Sequence, residues 1–297
     1  MNLTTLGIGI ATGIALGGVY SLIGLGFTLV VASTRLFLFV FESVVALGGI
    51  LAFWFLNDEG WPLAVAVVAI CLVGAVSGLL LDITVHRPLI GRVRDMGVAV
   101  LVATIGLSIA ADAVLSLLFG GDPRQTQAYV SATPFIIAQI PLQWSFVVIV
   151  SVLIAIASGF AWSLRHTSIG HQLVALQQDH EGAQLLGVRV SRLTTGVFAL
   201  AGLLSALAGF LITPLADASA TTGSTLIIPA FAAMAVGGFG SFTGAIVGGM
   251  VVGLVEGIVP LYANVNAVNP ILLGIIVLVL LIRPVGMFGR PDLVREY

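Results

Sequence analysis

The chain contains no lysine; its 11 basic residues are all arginine. A Walker A loop needs a lysine on the nucleotide phosphates, and Schiff-base chemistry needs a side-chain amine, so both are excluded. Any ATP chemistry the protein depends on resides on another chain. Cysteine is nearly absent: Cys71 stands alone in an apolar run, where packing is its expected role, and an intramolecular disulfide is impossible. Charged residues make up only 8% of the chain, against about 25% in a soluble domain. His86, His166, His171 and His180 lie beside or within polar loops and show no HExxH or Cys/His spacing, so solvated or interfacial histidines are expected rather than metal ligands. No Ser/His or paired-carboxylate arrangement stands at usable spacing, so the chain is not expected to be an enzyme or to carry a cofactor. With a net charge of −2, no nucleic-acid partner is expected.

What fills the chain is apolar: 59% hydrophobic residues and a mean hydropathy of +1.18. Runs long enough to cross a hydrocarbon core of about 30 Å recur from end to end. The fold class expected is all-α, a polytopic membrane bundle of eight or nine transmembrane or re-entrant helices in one domain over residues 1–297. The spans are expected at about residues 6–32, 36–56, 62–85, 97–119, 142–164, 193–215, 225–239, 242–260 and 268–283, the seventh being short and broken by glycine. The start, MNLTTLGIGI, has no basic n-region, so the first helix is expected to be retained. Arginine bias sets the orientation. Arg87, Arg92 and Arg94 follow the third helix, Arg165, Arg189 and Arg192 lie between the fifth and sixth, and Arg283, Arg290 and Arg295 close the chain. These regions are expected to be cytoplasmic, and Arg35 then places the N-terminus outside.

The longest polar segment, RHTSIGHQLVALQQDHEGAQLLGVRVSR at 165–192, is too long for a hairpin loop. Leu173, Leu176, Leu185, Leu186 and Val188 give short apolar faces, Asp179 can cap a helical turn, and Gly187 is placed to end it in the left-handed conformation. Two short surface helices are expected, either a structural loop or a knob for another protein's groove. Further on, AVGGFGSFTGAIVGGMVVGLVEG carries two stripes of glycine at every fourth residue, Gly240, Gly244 and Gly248 beside Gly249, Gly253 and Gly257. Such stripes let helix backbones approach closely in lipid, and Gly244, Gly248, Gly249 and Gly253 are assigned to packing. The GGFG turn before them can leave backbone groups free only where protein or a water-filled cavity satisfies them, which puts Gly237, Gly238, Gly240 and Ser241 among candidates for a solute path.

Three acids fall within apolar spans: Glu42, Asp112 and Glu256. A charge at mid-bilayer costs about 2.5–3.5 kcal/mol on insertion scales, so each should face the bundle interior or water. Glu42 ends LFLFVFE, an apolar run, whereas Glu256 stands one turn from Pro260, where a bland helix-end role is as plausible as a functional one. Asp82, with His86 and Arg87 close by, reads as a helix-end ion-pair partner.

In this order the segments resemble the permease subunits of branched-chain amino-acid ABC importers, a family that includes urea and short-amide permeases. GIALGGVYSLIGLGFTLV looks like the family's opening helix through Gly13, Leu16, Gly17, Tyr20, Leu22, Gly26 and Thr28. TIGLS, Thr104 to Ser108, is similar to its fourth-helix segment. The 165–192 loop resembles its ATPase-coupling segment through Gly170, Ala175, Asp179, Ala183, Gly187 and Val188, with Glu181 and Leu186 inside the same stretch. AVGGFGSFTGAIVGG and RPVGMFGR match two further motifs. The resemblance implies a passive permease in a bacterial-type inner membrane. A related second permease completes the channel as a heterodimer, two cytoplasmic ATPases carry ATP and magnesium, and an extracytoplasmic binding protein delivers the solute. Relatives carry N-F-A-H-G-(E/D) where this chain has Leu38 to Ser43, so the acid stands one residue early, at Glu42, and Asp112 replaces an uncharged amide. Glu42 and Asp112, with Thr104 and Ser108, are therefore expected to line the solute path and to shift selectivity toward a cationic or hydrogen-donating ligand. The rival expectation is a proton-coupled secondary transporter using Glu42, Asp112 and Glu256.

Overall fold

The computed structural model describes residues 3–89, 96–126, 129, 135–137, 140–283 and 285–289. Arg92, Arg94, Arg290 and Arg295 of the orientation argument, and Pro284 of the C-terminal motif, lie outside the described residues. The helices are α1 (Leu3–Thr34), α2 (Phe41–Phe53), α3 (Leu63–Leu81), the single turn α4 (Arg87–Leu89), α5 (Met96–Phe119), α6 (Trp144–His166), α7 (Ser168–Gln178), α8 (His180–Leu185), α9 (Val190–Ile212), α10 (Thr222–Gly237), α11 (Phe242–Tyr262) and α12 (Val268–Ile282). π-helical turns extend α2 over Trp54–Asp58 and α3 over Asp82–His86. A small antiparallel hairpin, β1 (Phe135–Ile137) with β2 (Ile140–Leu142), sits between α5 and α6, pairing Phe135 with Leu142. Among the described residues eight helices are long and apolar enough to cross a membrane, and α10, at 16 residues, is a shorter apolar helix beside them. The protein is a polytopic all-α bundle.

Burial sorts the helices into layers. α1, α2 and α9 are mostly enclosed, with Tyr20, Phe27, Phe41 and Phe198 fully buried at their centre. α3, α5, α6 and α12 turn exposed apolar side chains outward, Leu72, Ile109, Ile154 and Leu281 among them, as helices bathed in lipid must. Small residues set the tightest seams. A Cβ at Gly249, Gly253 or Gly257 of α11 would run into the backbone of Ser21, Gly17 or Gly9 on α1, and one at Gly248 would run into the Ala233 carbonyl on α10. The two glycine stripes thus serve two different neighbours. A third seam joins Gly74 and Gly78 of α3 to Gly202 and Phe198 of α9.

Two expectations require correction. The second helix was expected from residue 36, but it begins at Phe41. Arg35, the one described non-glycine residue with positive φ (56°), ends α1 and reverses the chain. Phe37 then stacks on Phe27 with ring centroids 5.2 Å apart, and Phe41 meets Phe27 edge-on at 6.5 Å. Phe27 lies seven residues before the end of α1, about 10 Å along the helix axis, so α2 starts inside the bundle rather than at its surface. The second correction concerns His86, expected to be solvated or interfacial though close to Asp82 and Arg87. It is buried, its ring packed on Phe198 at 5.0 Å and its Nδ1 2.9 Å from Asp82 Oδ1. Asp82, 1% exposed, also accepts from Arg87 Nε (3.0 Å) and from Thr195 Oγ1 on α9 (2.7 Å). The π turn Asp82–His86 brings His86 and Arg87 to one carboxylate, so the polar group draws the histidine inward.

Candidate functional site

Two of the three intramembrane acids, Glu42 and Asp112, meet at the contact of α2 with α5. Ser43 Oγ donates to Asp112 Oδ1 at 2.8 Å and stands 3.2 Å from the Ser108 carbonyl, while Ser108's hydroxyl is a hydrogen-bonding neighbour of Glu42. Thr104 and Ser108 lie buried on the same face of α5. Glu42 occupies the first turn of α2, where the positive end of the helix dipole favours negative charge by about 0.3–1 kcal/mol, although the Glu42 and Ser43 N–H groups themselves donate to the Phe39 (3.0 Å) and Val40 (3.2 Å) carbonyls. Register fixes the depth. Trp54 touches Phe119 at the far end (6.2 Å), and Glu42 lies 12 residues back along α2, about 18 Å along its axis. From the other side Gly223, in the first turn of α10, abuts the Glu42 carbonyl so closely that a Cβ there would overlap it. Two helix starts thus flank a half-buried pair of carboxylates inside the bundle.

The structure brings Glu42, Thr104, Ser108 and Asp112 to one contact but does not bring Gly237, Gly238, Gly240 or Ser241 there. These four form the turn between α10 and α11 at the end where α1, α3 and α6 finish. Close backbone contact explains their small size. Gly237 packs on Gly244, Gly238 (φ 107°) packs on Gly289, and Ser241 caps α11 by accepting from the Gly244 N–H at 3.1 Å. Glu256 is also separate: it faces the buried Tyr20 phenol in the α1–α11 seam. The three acids therefore sit on two different helix pairs.

The segment 165–192 is a capped helix–turn–helix. Thr167 accepts from the Gly170 N–H (3.0 Å) and starts α7; Asp179 accepts from the Gly182 N–H (3.0 Å) and starts α8. α8 ends as expected, with Gly187 at φ 86° and the Val188 N–H donating back to the Ala183 carbonyl at 3.0 Å. Gly170 lets α7 turn tightly against the Ser163 carbonyl of α6. Leu173, Leu176 and Ala183 point inward and Ala175 is partly covered, while Leu185 and Leu186 are 89% and 85% exposed. Glu181 falls on α8 with its side chain outside the described set.

Residues missing from the sequence expectations are Ser43, Thr195 and Gln177. Ser43 directly follows Glu42 on α2, and its link to Asp112 follows from that placement against α5. Thr195 and Gln177 act across long chain separations and left no local pattern. Among the described residues no three His, Cys, Asp or Glu side chains converge to hold a metal ion.

Lipid-facing helices around small-residue seams, with two carboxylates at the α2–α5 contact and a capped helical knob at one end, make this a polytopic membrane protein with a helical knob outside its spans. The comparisons give its family. The family described as branched-chain amino acid transport system, permease component, matches residues 9–281, and the chain belongs to it. It is 26% identical over 300 residues to LivH, the high-affinity branched-chain amino acid transport system permease protein of Escherichia coli K12, with 94% of each chain covered. BraD, the corresponding permease protein of Pseudomonas aeruginosa, is 24% identical over 299 residues, covering 95% of each. The ribose import permease protein RbsC of Haemophilus influenzae is 29% identical over 223 residues, 74% of this chain and 65% of that one. No solved structure matches.

Proposed function

We propose that this chain is the membrane-spanning permease subunit of an importer for branched-chain amino acids or a related small polar or amphipathic solute. Two ATPases on other chains bind segment 165–192 at the cytoplasmic face and energise it, a second related permease completes the channel as a heterodimer, and an extracytoplasmic binding protein delivers the solute. ATP and magnesium sit on the ATPases. The C-terminus shares the cytoplasmic side, in a bacterial-type inner membrane. The observation that carries this reading is the segment itself: two short helices, capped at both ends, that hold Leu185 and Leu186 out of the fold at the arginine-rich end. Two exposed leucines fixed on a rigid turn supply the kind of small apolar face that a partner's groove accepts. Glu42, Ser43, Ser108 and Asp112 line the solute path, and their carboxylates favour a solute carrying a cationic or donor group.

The test is reconstitution in lipid with the candidate ATPases, comparing the natural chain with variants disrupting Asp179, Ala183 and Gly187. Loss of solute-stimulated hydrolysis with the bundle still folded is the expected result. Solute movement by the purified chain alone, driven by a proton gradient and without any ATPase bound, would overturn it.

A further inference from the structure

Gln177, in the last turn of α7, is buried, and its Nε2 donates to the Gly240 carbonyl in the turn between α10 and α11. The same turn is held from a third direction. The last carbonyls of a helix lack partners within it, and those of α10 are taken up by the chain's C-terminal segment: Met287 N–H donates to the Val236 carbonyl (3.0 Å) and Phe288 N–H to the Gly237 carbonyl (2.9 Å). Gly286 (φ 82°) and Gly289 lie directly against Gly238 and Val285, with no room for a Cβ, so this strap is closely fitted. From Gly237 at the clamped turn, α10 runs back 14 residues, about 21 Å, to Gly223 against the Glu42 carbonyl. Pro229 interrupts its hydrogen-bond ladder midway, while Ala230, Ala232, Ala233, Met234 and Ala235 are completely buried around it. α10 is thus a strut whose following turn is tied to α7 through Gly240 and whose start abuts the first turn of α2.

We propose that Gln177 is the positioning residue that ties segment 165–192 to α10, so that displacement of α7 moves α10 and, through Gly223, the start of α2 that carries Glu42. Leu185 and Leu186 point away to solvent, so the gripping surface and the transmitting contact occupy different parts of one segment. The inference rests on the ATPase-coupling reading above and adds to it the side chain through which the motion leaves the segment.

The experiment uses the complete complex in proteoliposomes, with ATP hydrolysis and uptake of radiolabelled leucine, isoleucine and valine measured together. Gln177→Met keeps length and approximate volume but removes the donor. The expected result is normal ATPase binding and basal hydrolysis within about twofold, with uptake per ATP lower by about tenfold, the factor associated with one lost buried hydrogen bond. Amide exchange across residues 237–244 should accelerate in the same variant. An unchanged ratio of uptake to hydrolysis in an assembled complex overturns the proposal, and if exchange alone rises the contact is packing only. Loss of ATPase binding also overturns it, because Gln177 would then belong to the docking surface. If the natural chain binds no ATPase, the coupling reading fails first and this inference falls with it.

Discussion

Gly253→Ala is a single added methyl that should destabilise the bundle more than its size suggests. A Cβ at Gly253 would overlap Gly17 N and Cα and the Gly13 carbonyl of α1, all backbone atoms. No rotamer change can relieve that overlap. The two helices must part by about 1 Å, and a gap of that size forfeits roughly a quarter to a half of each dispersion contact along the seam. The seam extends from Gly257 opposite Gly9 to Gly249 opposite Ser21, so the loss is spread over several turns. Overpacking costs about 1–3 kcal/mol, with the upper end expected against backbone, and the helix-propensity gain of alanine returns only about 0.5–1 kcal/mol. A net loss of about 2 kcal/mol should lower the thermal midpoint of the detergent-solubilised protein by roughly 4–8 °C, followed by fluorescence-detected size exclusion after heating. The control is Gly274→Ala on α12, where nothing lies within 4 Å of the added atom, and that change should be neutral or slightly stabilising. Equal midpoints for Gly253→Ala and Gly274→Ala would refute the account of the glycine stripe.

Replacing Leu185 and Leu186 together with serine should leave the thermal midpoint unchanged, since both are almost fully exposed, but reduce co-purification of the ATPases at least tenfold; equal recovery would remove these leucines from the docking surface. Asp112→Asn should alter which amino acids are taken up, and adding Ser43→Asp should restore part of the original profile because Ser43 and Asp112 already share a hydrogen bond across the α2–α5 contact; a double variant no better than the single one defeats the idea of an acid exchanged between helices. Tyr129 donates to the Phe210 carbonyl and lies 2.8 Å from Thr213 Oγ1, so Tyr129→Phe should cost about 1 kcal/mol. Burial raises the Tyr129 phenol above its ordinary value, so its contribution is complete below about pH 10 and is lost as pH rises beyond it; the phenylalanine variant should show a smaller alkaline loss in the thermal midpoint measured between pH 8 and 11.

The contrast between the two readings of glycine shows where local pattern suffices. Gly244, Gly248, Gly249 and Gly253 were assigned to packing on their spacing alone, and the helices do meet there, because a four-residue repeat is the periodicity of a helix face and small residues have one dominant use in lipid. In the turn Gly237–Ser241 only Gly240 shares the four-residue spacing, and for Gly237 and Gly238 glycine without periodicity says only that a side chain is absent. A cavity and a clamped joint both require that. What distinguishes them here is the Gly240 carbonyl, satisfied by Gln177 from 63 residues away, and Val236 and Gly237, satisfied by a strap from the far end of the chain. A similar limit applies to LFLFVFES: hydropathy reports that the run is buried, but the place where α2 begins depends on Arg35 adopting a left-handed backbone and on Phe37 and Phe41 folding back onto Phe27. Glu42 is tolerated because of that reversal. It brings the positive end of a helix dipole to the depth where an acid in the middle of a helix would have had none.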